Sequence, residues 1–256
     1  MKDLTINKDN CVAIIPARYA STRFPGKPLA LIQGKSMIQR VVEQAKKSLT
    51  HVYVATDDER IAQEVNGFGG QVVLTSASHK SGTDRLAEAI QKIEQQENKH
   101  YDIVVNIQGD EPFIQPEQIE QLLHNFVRPD CEISTLIKKI ETNEQIWNPN
   151  LPKVTYSLSG RALYFSRSPI PYIRNHPKEE WEKHHTFFRH IGMYGYKKEV
   201  LLALSKLPAS QLEYAESLEQ NRWLENGYQI FVKETFTDSI GIDTPEDLVR
   251  AEAWLK

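Results

Sequence analysis

Cysteine is scarce in this chain: two among 256 residues, Cys11 and Cys131, with no CxxC spacing. That excludes a disulfide framework and a cysteine-ligated zinc site, and it fits a reducing compartment. Long apolar runs are missing as well; none approaches the ~18–20 residues that a membrane-spanning helix needs. The opening MKDLTINKDN is polar and has no signal-peptide core, so a cytoplasmic protein without a membrane partner is expected. There is no basic excess, since 31 Lys and Arg stand against 34 Asp and Glu for a net charge of −3, and a nucleic-acid partner is disfavoured. No strand leads into GxGxxG, which leaves a dinucleotide fold unsupported. Gly34-Lys35-Ser36 has the tail of a P-loop, but Leu29 stands where the first glycine belongs, so that reading fails. The Asp-x-Asp metal motif of many glycosyltransferases does not appear after the relevant strand, and the Asp57-Asp58 pair reads as a helix cap.

What is present is an ordinary globular composition, 40% apolar and 25% charged, in an alternating order. Val12–Ile15, Val52–Thr56, Gln71–Thr75 and Ile103–Ile107 read as buried strands. Between them lie helical stripes such as Met37, Val41 and Ala45, or Leu86, Ala89, Ile90 and Ile93. This β-α-β-α order predicts a doubly wound, mostly parallel sheet. Further on, Ile133–Ile140, Lys153–Ser157, Ala162–Ser166, His190–Tyr196 and Ile230–Val232 read as strands. The polar, proline-bearing stretch 169–183 reads as a smaller excursion or oligomer contact. Ser210-x-x-Glu213 predicts a capping box that opens one helix from Gln211 to Glu225. The whole is expected to be one α/β domain over 1–256, with a nucleotide-binding part of about 1–140 and a second part of about 141–256.

The chemistry concentrates at strand ends. IIPARYASTRFPGKP puts Arg18, Arg23 and Lys27 on a loop stiffened by Pro16, Pro25, Gly26 and Pro28. Arg offers phosphate a planar fork and Lys a point charge, so three cations on such a loop suit a triphosphate. Taken alone, such a loop is more often a turn of solvated charges. Gln108-Gly109-Asp110-Glu111 follows the strand IVVNI, so Asp110 points into the crevice where open α/β sheets bind ligands. A hard carboxylate there suits Mg²⁺, although a turn in which Asp110 caps backbone amides is the bland alternative. Asp243, in GIDTP, offers a second carboxylate from a distant segment, or simply a favourable charge at a helix start. Ser81-Gly82-Thr83-Asp84-Arg85 sits at another strand-to-helix junction and reads as base or sugar recognition, as helix capping, or as both. His190 and Tyr194 share a strand face beside Gly192, as a ligand contact or a packed core pair. Glu213, Glu216, Glu219 and Gln220 form a helix face, solvated or positioned for sugar hydroxyls.

PARYASTRFPGKP, SGTDRLAEA, NIQGDEPFI, YFSR, RHIGMYGY, LEQ and GIDTPEDL occur in this order from about Val12 onward. As an ordered set they closely resemble the CMP-Kdo synthetases, the 3-deoxy-manno-octulosonate cytidylyltransferase family. The resemblance implies a homodimeric nucleotide-diphospho-sugar-transferase-type fold that converts CTP and Kdo to CMP-Kdo and pyrophosphate with Mg²⁺, a step of lipopolysaccharide assembly. It implies that Arg18, Arg23 and Lys27 cradle the triphosphate, with Arg18, Lys27 and Asp110 carrying the chemistry. Asp110 and Asp243 would hold the metal. Ser81 and Gly82 would lie on the cytosine side. Arg85, Gln108, His190, Tyr194 and Glu219, with Arg167 of YFSR, would hold the sugar acid. Close alternatives are a cytidylyltransferase for 8-amino-Kdo or a sialic-type acid. A non-catalytic nucleotide-binding protein is the alternative from another class, and the paired aspartates argue against it.

Overall fold

The computed structural model describes residues 6–20, 24–79, 81–238 and 241–254. Its regular elements begin with β1 (Cys11–Ala17), β2 (Leu31–Ile32), β3 (Lys35–Ser36), α1 (Met37–Ala45), β4 (His51–Thr56) and α2 (Glu59–Gly67). There follow β5 (Gln71–Leu74), α3 (Gly82–Glu97), β6 (Ile103–Asn106), α4 (Pro116–His124), β7 (Ile133–Lys139), α5 (Asn143–Trp147), β8 (Lys153–Tyr156) and β9 (Ala162–Ser166). The chain continues through α6 (Trp181–His184), β10 (Phe188–Lys197), α7 (Lys198–Leu204), α8 (Gln211–Glu216), α9 (Glu219–Glu225), β11 (Ile230–Glu234) and α10 (Pro245–Trp254). These sort into two units: Thr5–Glu120 with Gly195–Ser205 and Asp238–Lys256, and Gln121–Tyr194 with Lys206–Thr237.

In the first unit β6, β1, β4 and β5 run parallel in that order. β1 sits inside, pairing Val12 with His51 on one side and with Val104 on the other. Cys11 to Ile15 are buried throughout, which is why the strand reads as an unbroken apolar run. The same burial pushes the Cys11 thiol up to about 12. Helices start where short polar side chains can cap them. Ser36 accepts from the Gln39 amide, and Asp58 from the Arg60 amide. Ser81 and Asp84 form a full capping box at α3. Gly34-Lys35-Ser36 is the far side of the β2–β3 hairpin, turned by Gln33 and Gly34 at φ of 46° and 79°. It is no phosphate nest, in agreement with the missing glycine.

In the second unit β11 pairs parallel with β7, and β8 pairs antiparallel with β9 and meets β10 at Arg189. The stretch 169–183 leads into α6 and shares a small core with Ile140, Ile146 and Phe187. There the buried Trp181 contacts the rings of Trp147, Tyr172 and Phe187. The single helix expected from Gln211 to Glu225 is two helices. The capping box at Ser210 and Glu213 is present, but Ser217 adopts φ +51° and ends α8 after six residues. Helical periodicity alone does not register that break, because the apolar stripe resumes in α9. Among the described residues, no helix is long and apolar enough to cross a membrane.

Candidate active site

The cation loop leaves β1 at Ala17 and is closed on itself: the Gly26 amide donates to the Tyr19 carbonyl at 2.9 Å, and the Leu29 amide to the Gly26 carbonyl at 2.9 Å. Gly26 holds φ +72°, a backbone that favours glycine, and a Cβ there would press on the Tyr19 ring at 3.1 Å. The Tyr19 ring is capped by the Arg60 guanidinium at 3.3 Å, itself held by Asp58. Beyond the loop, Phe24 and Ala30 pack on a cluster of Ile32, Met37, Phe113, Ile242 and Ala251. That cluster unites the segments carrying Lys27, Asp110 and Asp243. The Ile242 amide donates to the Asp110 carbonyl at 2.9 Å, and Gly109 lies so close to the end of β1 that a Cβ would meet the Pro16 carbonyl at 3.1 Å.

The outcome is a convergence of charge. The Lys27 ammonium, only 13% exposed, reaches Asp110 Oδ2 at 2.6 Å and Asp243 Oδ1 at 3.2 Å. Two sequence-predicted carboxylates, 83 and 216 positions from Lys27, therefore meet at its one nitrogen. Two carboxylates within reach of one cation match the donor set of Mg²⁺ or a similar hard ion, which takes one or two carboxylates and completes its shell with phosphate oxygens and water. Among the described residues no group of three or more His, Cys, Asp or Glu makes a self-sufficient metal cage. Arg18 stands exposed just past β1, and Arg23 lies outside the described residues.

Arg85 is placed differently. It is 1% exposed, bonds Asp57 Oδ1 at 3.0 Å and donates to Thr75 Oγ1 at 2.6 Å, tying α3 to the ends of β4 and β5. Burial, reinforced by the positive charge of Arg18, lowers its pKa even though Asp57 opposes the shift. Asp57 is the partner that the capping argument overlooked: Asp58 alone is the cap. Its signal was the one used for Asp110, an acid at the carboxyl end of a buried parallel strand. Ser81 spends its hydroxyl oxygen on capping Asp84, and a side chain on Gly82 would meet nothing within 4 Å, so the first turn of α3 is open. Gln108 is half-buried, and its carbonyl accepts from the Glu111 amide in the turn before Asp110.

The remaining candidates are in the second unit. His190 packs edge-on against Phe165 and, tilted, against Tyr194, each at 5.2 Å between ring centres. This crowding drives its pKa down to about 3, leaving a neutral imidazole at any ordinary pH. The Thr135 hydroxyl donates to the Met193 carbonyl at 2.8 Å, so its oxygen accepts from His190 Nε2 at 2.9 Å. The ring proton thus sits on Nε2 and Nδ1 is the accepting nitrogen. Glu219 opens α9 and pairs with Arg222. Arg167 donates to the carbonyls of Glu216, Pro149 and Ser217. Thr135 gave no motif signal; only the neighbouring of β7 and β10 in the sheet discloses it.

A cation-bearing loop, two carboxylates that meet at its lysine and a parallel sheet are the features of a nucleotide-handling α/β protein. The cytidylyltransferase family model matches residues 12–234, and the chain belongs to the cytidylyltransferase family. It is 57% identical over 242 residues to the 3-deoxy-manno-octulosonate cytidylyltransferase of Cytophaga hutchinsonii, covering 93% of this chain and 95% of that protein. It is 56% identical over 248 residues to the enzyme of the same name from Parabacteroides distasonis, covering 95% and 97%. A solved structure of CMP:2-keto-3-deoxy-manno-octonic acid synthetase complexed with CTP matches with a TM-score of 0.87 and 42% identity, over 96% of this chain and 98% of that one. The motif-based resemblance to the CMP-Kdo synthetases is thereby borne out, as is the expected fold class.

Proposed function

We propose that this chain performs the reaction its relatives are named for: transfer of CMP from CTP to Kdo, giving CMP-Kdo and pyrophosphate. The observation that carries this reading is the meeting of Asp110 and Asp243 at Lys27. Two acids beside the cation loop supply the carboxylates that a metal-assisted nucleotidyl transfer needs. A sugar hydroxyl loses its proton to solvent as its oxygen forms a bond to the α-phosphorus, the bond to the bridging oxygen breaks, and pyrophosphate leaves with the growing negative charge. Arg18, Arg23 and Lys27 neutralise that charge, and Lys27 is already desolvated and preorganised for it. Asp110 and Asp243 would hold Mg²⁺, which when bound polarises the phosphate and the attacking oxygen. Ser81 and Gly82 receive the cytosine side. By motif, Arg85, Gln108, His190, Tyr194 and Glu219 are the residues assigned to the sugar acid. The neutral His190 offers Nδ1 to a hydroxyl proton, and Glu219 offers carboxylate oxygens.

The enzyme works in the cytoplasm as a homodimer in this reading. Tyr156, Leu158, Leu163 and Tyr172 are large exposed apolar residues of the second unit. A groove of about 650 Å³ in the same unit is lined by residues that include Tyr156, Leu158, His184 and Phe188. Sedimentation of wild type and of Leu158→Asp tests this: a dimer that the variant weakens is expected, and a wild-type monomer overturns it.

The reaction itself is tested by coupled pyrophosphate release with CTP, Mg²⁺ and a panel of sugar acids. Turnover with Kdo is expected. Turnover of only 8-amino-Kdo or a sialic acid, or CTP binding without product, overturns the proposal.

A further inference from the structure

The break between α8 and α9 is held by a knot of side chains with no role so far. The Glu216 carboxylate accepts from Ser166 Oγ at 2.6 Å, from the Arg167 amide at 2.9 Å and from Tyr164 Oη at 3.2 Å. The Arg167 guanidinium returns to the same turn, donating through Nε to the Glu216 carbonyl at 2.6 Å and through Nη2 to the Ser217 carbonyl at 3.3 Å. Its Nη1 reaches the Pro149 carbonyl at 2.9 Å. Carbonyls at a helix end lack intrahelical partners, and a left-handed residue in that place is usually glycine. Here it is Ser217 at φ +51°, a conformation that persists in a non-glycine residue only where its surroundings impose it. Arg167 and Glu216 are those surroundings. Two residues after the kink, α9 begins with Glu219. α9 is also tied to β9, because Asn221 Nδ2 donates to the Phe165 carbonyl at 3.0 Å, and the Phe165 ring is the edge-on neighbour of His190. One knot therefore sets the exit direction of Glu219 and steadies the strand that packs on His190.

We propose that Glu216 and Arg167 are positioning residues for the sugar acid, fixing the Ser217 kink from which Glu219 projects, and that neither touches substrate. This rests on the Kdo cytidylyltransferase reading and departs from the motif-based assignment of Arg167 as a sugar-acid ligand. Two features of the sequence now have a use: the arginine of YFSR, and the inward glutamate of a helix face that otherwise reads as solvated.

The test is steady-state kinetics on wild type, Glu216→Ala, Arg167→Ala and the double variant. Kdo is varied at saturating CTP, and CTP affinity is measured separately by calorimetry. The wild type comes first, since its failure to turn over Kdo would refute the functional reading and not the knot. Each single variant should raise the KM for Kdo at least about tenfold, with kcat reduced less and CTP affinity within about twofold of wild type. The double variant should be no worse than the poorer single, because both remove the same device. Arg167→Lys should recover part of the loss, since an ammonium with three donors can still serve the carbonyls. The proposal is overturned if Glu216→Ala leaves the KM for Kdo unchanged, if the two losses multiply in the double variant, or if CTP affinity falls in parallel. Should an alanine variant fail to fold, Arg167→Lys and Glu216→Asp are compared by the same criteria.

Discussion

In the unit that carries Lys27, three charged side chains from three remote segments meet at one nitrogen. In the unit that carries His190 the candidates have separate partners: His190 has Thr135, Arg167 has backbone carbonyls, and Glu219 has Arg222. The first arrangement suits a polyanion, where charge must be concentrated and water excluded. The second suits a polyhydroxylated acid, where orientation of many weak donors and acceptors matters more than net charge. The contrast predicts that substitutions around Lys27 act on CTP binding and the chemical step, and that those in the second unit act on sugar affinity.

The largest expected effect is that of Lys27→Ala. It removes the cation proposed to stabilise the leaving group and leaves Asp110 and Asp243 without their shared partner. A fall in kcat of about 10³-fold, or about 4 kcal/mol, is expected from the loss of one preorganised electrostatic contact. Pyrophosphate release together with a circular dichroism spectrum checks it, and unchanged turnover would break the comparison at its strongest point.

Next is Asp57→Ala, which strands the buried Arg85 guanidinium. Breaking a pair of this kind by removing one partner costs about 3 kcal/mol. Urea denaturation should show that loss, while a shift below about 0.5 kcal/mol would mean that Thr75 alone suffices for Arg85.

His190 gives a dependence on pH. Its pKa is about 3 in the folded chain and about 6.5 for an ordinary histidine. The unfolded chain therefore takes up a proton that the folded one refuses. Stability from this residue is full above about pH 6.5, falls as pH drops below it, and levels off only near pH 3. At pH 5 the loss is about 2 kcal/mol. Between pH 5 and 6.5 most carboxylates stay ionised, so denaturation of wild type and His190→Gln over that window isolates the effect. Equal pH slopes would contradict it.

The smallest effect is that of Gly26→Ala. An L-residue at φ +72° facing the Tyr19 ring costs about 1–2 kcal/mol and should appear mainly as a several-fold higher KM for CTP. An unchanged KM would mean that the loop conformation does not govern phosphate binding.

The two units also differ in how far their sequence discloses them. The strand-helix alternation, the cation loop, Asp110 and Asp243 are legible because apolar periodicity and polar residues at strand ends are local signals. What joins Asp110 to Asp243 is the backbone bond from Ile242 and an apolar cluster with members as far apart as Ile32 and Ala251. No local pattern encodes that. In the second unit the pairing of His190 with Thr135 spans 55 positions. The helix break at Ser217 depends on Arg167, 50 positions away, so periodicity runs the two helices together. Partners chosen by tertiary packing leave no spacing rule in the chain.

The claim that most of this depends on is that Asp110 and Asp243 act as one device. A double-mutant cycle of Asp110→Asn and Asp243→Asn, read as the rate of pyrophosphate release from CTP and Kdo with Mg²⁺, tests it most directly. Shared action predicts that each single variant loses nearly as much rate as the double. Independent losses that multiply, or a single variant with near wild-type turnover, would contradict it.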